Sequence, residues 1–304
     1  MKMTLNLAGT NMTINLSGQP ESILQSVNSF YGDFAGPTRR TDAEVKVASL
    51  RTFEHGFPFE EKDPNSVLER LLPTQEVEAW LRRFPECTED FPIHETTICT
   101  FSLNGLLLFN PDTAAGRIYL LGNDKHNFHS VYRLLWVYLA QVLGERGGCF
   151  LHAAALVREE DGYIFMGDSG AGKSTVSRLC RRCRVFSDDG PVFFPNNGEY
   201  RVYPSPFHQR WQERALDKDI IQMRARVMGL YFLIKDKKVF LEDILNREAF
   251  SMIIKRHIHF FTHLSARAKT TLFDIFFKAC YELPTYSLHF RGDQDIWGAI
   301  KNKQ

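Results

Sequence analysis

The sequence predicts an α/β protein in two parts: a small β-rich α+β N-terminal domain over residues 1–125, then a P-loop domain on a mixed sheet over residues 126–304. Three observations carry that prediction. Residues 167–174 read Gly-Asp-Ser-Gly-Ala-Gly-Lys-Ser, an unbroken G-x-x-x-x-G-K-[ST] octet between an apolar run and a helix-like run. A turn of about five residues joins the octet's strand to the strand before it, too short for a parallel crossover, so the sheet contains an antiparallel pair. Upstream, apolar and polar residues alternate in short runs, the period of half-buried strands.

Taken in order, Thr4–Leu7 and Met12–Leu16 alternate with a glycine between them, as in a hairpin. Glu44–Ala48 alternates as well. Thr97–Ser102 and Gly105–Phe109 flank Leu103-Asn104, and Arg117–Leu121 closes the series. Residues 53–73 carry Pro58, Pro64 and Pro73 among many charges and read as a surface excursion. No catalytic constellation is predicted in this part.

His129–Leu143 places Val131, Leu134, Leu135, Tyr138, Leu139 and Val142 on one broad face, and Gly144 with Gly147-Gly148 ends the helix. Cys149–Val157 reads as a strand, Glu159–Gly162 as a turn and Tyr163–Met166 as the octet's strand. With that turn centred near residue 160, His152 falls opposite about residue 168, beside the mouth of the loop. The other reading of His152 is a buried histidine satisfied by its neighbours.

The octet has a specific chemistry. Gly167, Asp168, Ser169, Gly170, Ala171, Gly172, Lys173, Ser174 and Thr175 form the candidate phosphate-binding set, glycines letting backbone N–H groups converge on phosphate oxygens at a helix N-terminus. Lys173 can reach the β- and γ-phosphates, and the Ser174 hydroxyl can ligate Mg2+. The expected ligand is ATP with Mg2+.

Arg184–Ser187 reads as a strand returning parallel to the octet's strand, because a helix separates them. The Asp188-Asp189-Gly190 that follows then lies at the loop's edge of the sheet, where ligands bind in α/β folds. One carboxylate can hold Mg2+ and the other can accept a proton from an attacking hydroxyl. Adjacent strand residues face opposite ways, so the two are not expected to share one role. Asp188, Asp189, His152 and Lys173 are the candidate catalytic residues, and Ser174 with Asp189 the candidate metal ligands. Pro191–Phe194 and Tyr200–Tyr203 flank an Asn-Gly turn as a hairpin, and Arg210 and Arg214 are cations that either meet phosphate or acceptor or are plain surface charge.

Farther on, Gly229–Ile234 reads as a buried strand, Val239–Phe250 and Ala268–Tyr281 as helices, Ser287–Phe290 as the closing strand and Asp295–Ile300 as a terminal helix. Leu272, Phe273, Ile275, Phe276 and Ala279 form an apolar helix face, read as core packing, with a peptide-binding groove as the alternative. His257-x-His259-x-x-x-His263 has metal-like spacing with His259 and His263 one helical turn apart, but lacks a completing carboxylate or thiol and is read as surface or packing histidines.

Composition narrows the class. The chain of 304 residues is 44% hydrophobic and 24% charged with a formal charge of +1, which predicts neither a nucleic-acid footprint nor a polybasic membrane surface. No apolar run approaches the ~18 residues that span a bilayer, and the N-terminus lacks a signal-peptide core, so a cytoplasmic location is expected. Six scattered cysteines predict reduced thiols, Cys180-x-x-Cys183 included.

Four segments carry a resemblance: Leu151-His152-Ala153-Ala154-Ala155, the Gly167–Thr175 loop, Ser187-Asp188-Asp189, and Leu283-Pro284-Thr285-Tyr286-Ser287-Leu288-His289-Phe290. Together they resemble the HPr serine kinase/phosphorylase family of the phosphoenolpyruvate-carboxykinase-like kinases. They are closest to its divergent relatives in gene clusters for modified peptides and other biosynthetic cassettes. The resemblance implies a P-loop kinase domain, in which His152 and one of Asp188/Asp189 assist proton transfer while Ser174 and the other aspartate hold the metal. The loop continues Lys-Ser-Thr where HPr kinases usually read Lys-Ser-Glu, and their downstream Glu-rich, Arg-containing signature has no convincing counterpart. Neither phosphorolysis nor HPr itself is therefore predicted.

The expectation is an ATP- and Mg2+-dependent kinase acting on a hydroxyl, with a serine of a peptide or small protein as acceptor. A small-molecule hydroxyl and a nucleotide-binding regulator with little or no transfer are the alternatives. No nucleic acid or membrane partner is expected, and a homo-oligomer stays open.

Overall fold

The computed structural model describes residues 1–37, 40–50, 70–82, 91–121, 127–180, 182–207 and 218–303. The chain forms two compact units, one of residues 1–146 with 262–268, the other of 147–261 with 269–304. The sequence sets its boundary at 125/126. The long helix that follows that boundary packs on the sheet of the first unit.

In the first unit, β1 (Lys2–Leu7) and β2 (Thr10–Asn15) form the hairpin the alternation predicts. After α1 (Glu21–Tyr31), β3 (Ala43–Leu50) runs parallel to β2. Then come β4 (Arg70–Leu72), α2 (Thr74–Leu81), β5 (Ile98–Ser102), β6 (Gly105–Asn110) and β7 (Ala115–Leu121). The sheet order is β1-β2-β3-β7-β6-β5-β4. Arg70–Leu72 is an edge strand rather than the end of a surface excursion, because its backbone pairs with Cys99–Phe101. Residues 53–69 of that stretch lie outside the described residues. Helix α3 (Asn127–Glu145) buries Val131, Leu134, Leu135, Tyr138, Leu139 and Val142, the face its 3.6-residue period predicts, against β6 and β7.

The second unit runs β8 (Cys149–Phe150), β9 (Ala153–Arg158), β10 (Asp161–Met166), α4 (Lys173–Leu179), β11 (Arg184–Ser187), β12 (Val192–Asn196), β13 (Glu199–Tyr203) and α5 (Lys218–Ile221). It continues through β14 (Ala225–Lys235), β15 (Phe240–Asp243), α6 (Asn246–Met252), α7 (Ala266–Glu282, in this unit from Lys269 on), β16 (Thr285–Phe290) and α8 (Trp297–Lys301). The sheet is mixed, in the order β11-β9-β10-β14-β13-β12-β8, with β16 beside β14 and β15 beside β16. β9 and β10 are antiparallel neighbours, as the short turn requires, whereas β10 and β14 are parallel. β11 pairs antiparallel with β9 and so runs in the direction of β10. The C-terminal ends of β10 and β11 therefore share one edge, and the loop and the acidic pair grow from it.

Three expectations change here. Cys149–Val157 is not one strand: Cys149 and Phe150 pair with β12, while Ala153 onward pairs with β10 and β11, so the chain steps across the sheet at Leu151–His152. Val239–Phe250 is not one helix either. Phe240–Asp243 alternates at period two, pairs with β16 and tucks Val239 and Leu241 against the core, leaving only Asn246–Met252 helical. Finally, Cys180 and Cys183 form a disulfide, where reduced thiols are predicted. The helix ends at Leu179 and the chain turns, bringing the two Cα atoms to 5.4 Å, well inside disulfide range. Cys99, Cys149 and Cys280 are free and buried, and Cys87 lies outside the described residues.

The core of this unit sits behind the loop: Leu156, Phe165, Val176, Tyr231, Leu288, Phe290 and Trp297 pack together and fix helix α4 against the sheet. Among the described residues, no helix is long and apolar enough to cross a membrane.

Candidate functional site

Strand β10 ends at Met166 and the octet turns at once into helix α4. Gly170 and Gly172 have φ of +79° and +112°, conformations that L side chains rarely adopt. Gly172 also faces the Phe290 ring, so a Cβ there would stand 2.4 Å from it. The Ala171 N–H donates to the Asp168 carbonyl at 3.0 Å, and Val176 N–H to the Gly172 carbonyl at 2.9 Å, closing the loop onto the helix.

Lys173 is only 4% exposed. Its ammonium folds back into the loop, donating to the Gly167 carbonyl at 2.7 Å and to His152 Nε2 at 2.9 Å. Burial lowers the Lys173 pKa, and the charges of Asp189, Asp168 and Asp188 oppose that shift. His152 sits one residue beyond the last β9–β10 pair, Ala153 with Met166, which brings it to the loop. Burial first, then Lys173 and His259, lower its pKa to about 4, against Asp189 and Asp168. At neutral pH His152 is thus the uncharged imidazole, accepting from Lys173 on Nε2 and carrying its proton on Nδ1.

The acidic pair is set by two serines, both fully buried. Ser187 Oγ accepts from the Asp189 and Gly190 N–H groups at 3.2 and 2.8 Å and donates to the Phe207 carbonyl at 2.6 Å. Ser205 Oγ donates to the Gly190 carbonyl at 2.5 Å and accepts from Phe207 N–H at 3.2 Å. The Pro-Ser-Pro-Phe segment is thus a brace for the Asp-Asp turn. Asp189 Oδ1 lies 3.6 Å from His152 Nε2, and Asp188 acts on Lys173 through its charge. Arg256 reaches Asp168 Oδ2 at 3.2 Å. Arg210 and Arg214 lie outside the described residues.

What the sequence reading missed is the histidine segment. His257 ends a five-residue π-helical turn, Ile253–His257, and is 1% exposed. Its carbonyl accepts the His152 N–H at 2.9 Å, and the His259 N–H donates to the Phe150 carbonyl at 3.0 Å. With the Leu151–Ile258 bridge between them, these bonds strap the segment along the break between β8 and β9. His259 Nε2 bonds the Asp189 carbonyl at 2.8 Å, and its ring centroid is 5.2 Å from that of His152. His259 and His263 do not share a helix: Phe260, at φ +56°, turns the chain, and His263 belongs to a separate 3-10 turn. The only signal available was the His-x-His spacing, and spacing alone does not reveal a partner 70 residues away. Among the described residues, no three His, Cys, Asp or Glu side chains are grouped to hold a metal ion.

The fold and site define an α/β protein with a strand–loop–helix Gly-rich loop on a mixed sheet, its loop lysine bonded to a histidine that neighbours Asp189. The chain belongs to the family described as SynChlorMet cassette protein ScmC, which matches it over residues 123–301, more than half its length. None of the curated proteins matches it. Among solved structures, the HPr(Ser) kinase/phosphatase from Coxiella burnetii is similar over 51% of this chain and 89% of that one, at 11% identity and a TM-score of 0.30. A likeness so slight carries no statement about activity.

Proposed function

We propose that this protein is an ATP- and Mg2+-dependent kinase that transfers the γ-phosphoryl group to a hydroxyl, a serine of a peptide or small protein. The observation that carries the reading is one continuous contact. The buried Lys173 ammonium lies 2.9 Å from His152, and His152 lies 3.6 Å from Asp189, so the phosphate-binding cation and the candidate bases share one edge of the sheet. Phosphoryl transfer asks a protein chiefly for that: positioned positive charge on the phosphates and a group to take the acceptor's proton.

The donor set fits Mg2+. Ser174 and Asp189 are hard oxygen donors, and this ion takes one or two carboxylates, phosphate oxygens and waters rather than a protein cage. When bound, it would neutralise charge on the phosphates. The work of the chain's own residues is distinct. Lys173 exchanges its loop carbonyl and His152 for phosphate oxygens. One aspartate of the pair accepts the proton from the acceptor hydroxyl as its oxygen attacks the γ-phosphorus and ADP leaves, and the other, with Ser174, would hold the metal. His152, uncharged at neutral pH, holds the lysine and then neighbours the proton acceptor.

The test is transfer from γ-labelled ATP with Mg2+ into host lysate and into peptides encoded beside this gene, wild type against Lys173→Ala. Label on a protein or peptide acceptor with wild type alone supports the kinase. Label on a small molecule keeps the kinase and replaces the acceptor. Nucleotide binding without label, and no ATP turnover above Lys173→Ala, replaces it with a nucleotide-binding regulator.

A further inference from the structure

We propose that His259 is the positioning residue that fixes the Asp189–His152 juxtaposition, by tying the acidic turn to the strand break that carries His152. The inference deepens the kinase reading and rests on it for its chemistry, though not for its geometry.

Asp189 and His152 come from different strands. His152 lies in the two-residue step between β8 and β9, and Asp189 lies beyond the end of β11. The β11–β9 pairing already shifts register between Val185 and Ser187, so the ladder does not by itself hold the acidic turn in place. Ser187 and Ser205 tie the turn to the Phe207 segment, and His259 ties it to the strand break. Its ring donates Nε2–H to the Asp189 carbonyl at 2.8 Å while its own backbone N–H is fixed on the Phe150 carbonyl at 3.0 Å. Two residues earlier, the His257 carbonyl takes the His152 N–H. One three-residue segment therefore grips both sides of the site, the imidazole's backbone through one histidine and the aspartate's through the other.

The grip on Asp189 is closed from its other side too. Its N–H goes to Ser187 Oγ at 3.2 Å, so the residue is held at its amide and its carbonyl, and only the carboxylate is left to be aimed. That carboxylate points Oδ1 to within 3.6 Å of His152 Nε2. Remove the His259 donor and the Asp189 carbonyl loses its ring partner, while the amide bonds to Ser187 remain. Ser205 still holds the Gly190 carbonyl, so the Asp189–Gly190 peptide, which carries the freed carbonyl, is the part released, and its shift takes the carboxylate from the histidine. Lys173 is held by the Gly167 carbonyl and by His152, so removing the His259 donor should leave phosphate binding nearly unchanged. The π-helical turn that ends in His257 accords with this, since such turns are frequent at functional sites.

The decisive comparison is His259→Gln against His259→Ala and His259→Asn. The Gln amide has nearly the reach of Nε2 and can donate to the same carbonyl, and the Asn amide is too short. Crystal structures of the variants give the direct readout: the Asp189–His152 approach is expected in wild type and His259→Gln and lost in His259→Ala and His259→Asn. In ATP turnover, kcat is expected to fall about ten- to hundredfold for Ala and Asn and to recover in Gln. ATP affinity, measured by calorimetry, should stay within about twofold of wild type in all three. If His259→Ala does not fold, the Gln and Asn pair decides. Asp189 unmoved in the structures, or equal kcat in Gln and Asn, overturns the proposal. Wild-type protein that binds no ATP overturns the kinase reading instead, and the structures still decide the role of His259.

Discussion

The glycine-rich loop and the acidic turn stand at one edge of the sheet but are held in different ways. The loop is shaped from within: Lys173 bonds Gly167 six residues back, Ala171 bonds Asp168, and Val176 bonds Gly172. The turn at Ser187–Gly190 is shaped from outside, by Ser205 at a separation of 15 residues, Phe207 at 20 and His259 at 70. A loop built locally carries its geometry as a sequence pattern. A turn built by distant partners shows only its own residues in the sequence and hides those that hold them.

The comparison breaks first in the loop, where the largest loss is expected. Gly172→Ala adds a Cβ 2.4 Å from the Phe290 ring at a φ of +112°, so backbone strain and overpacking act together. We expect a loss of about 2–5 kcal/mol in urea denaturation. Gly170→Ala is the control: φ is +79° and nothing stands within 4 Å, so only strain of about 1 kcal/mol remains. Equal losses at the two sites would mean that the Phe290 contact does not set the loop.

That contrast also explains what the sequence disclosed. The octet, the antiparallel β9–β10 pair and the approach of His152 to the loop all follow from short-range rules, a motif, a turn length and a register count. Asp188-Asp189 was visible as a carboxylate pair after a strand. Ser205 was visible only as part of a Pro-Ser-Pro-Phe segment, and nothing in that string says it braces Gly190. The break at Leu151–His152 was hidden because an apolar run reads alike whether it is one strand or two strands in different ladders. The His257–His259 segment was hidden because a π-turn has no sequence period.

Acid tests the distant half. Burial, with help from His152 and Lys173 and against Asp168, lowers the His257 pKa from 6.5 to about 4, and its Nδ1 is buried without a hydrogen-bond partner. The folded value lies below the unfolded one, so the unfolded chain takes up a proton that the folded chain refuses. This stability is complete above about pH 6.5 and drains away as pH falls towards 4, on the order of 3 kcal/mol in all. His257→Leu removes that proton, so its unfolding free energy should fall less steeply than wild type between pH 6.5 and 4. His152, lowered in the same way, leaves a residual slope. Parallel pH curves for the two proteins would show that His257 is not the group refusing the proton.

Ser205→Ala separates aiming from binding. It leaves the Gly190 carbonyl and the Phe207 N–H without their hydroxyl partner in a fully buried place, at a cost of about 1–3 kcal/mol. Because the brace acts on the acidic turn and not on the loop, turnover should fall while ATP affinity holds. A variant that loses ATP affinity and keeps turnover would place the serine with the loop.

The smallest effect is expected where loop and histidine segment touch at the surface. Arg256, one residue before His257, pairs with Asp168 of the loop at 3.2 Å, but both side chains are about two-thirds exposed, at 62% and 67%. An exposed pair is worth about 0–1 kcal/mol, so Arg256→Ala should leave thermal unfolding almost unchanged. The same substitution releases Asp168, whose charge otherwise has a cation beside it at the phosphate loop. ATP affinity is therefore the sharper measurement, and it should weaken more at low salt than at high salt, since screening removes what the arginine contributed. A salt-independent loss would assign Arg256 a direct contact with phosphate, and would make the two halves of the site one binding surface rather than a binder and its aiming device.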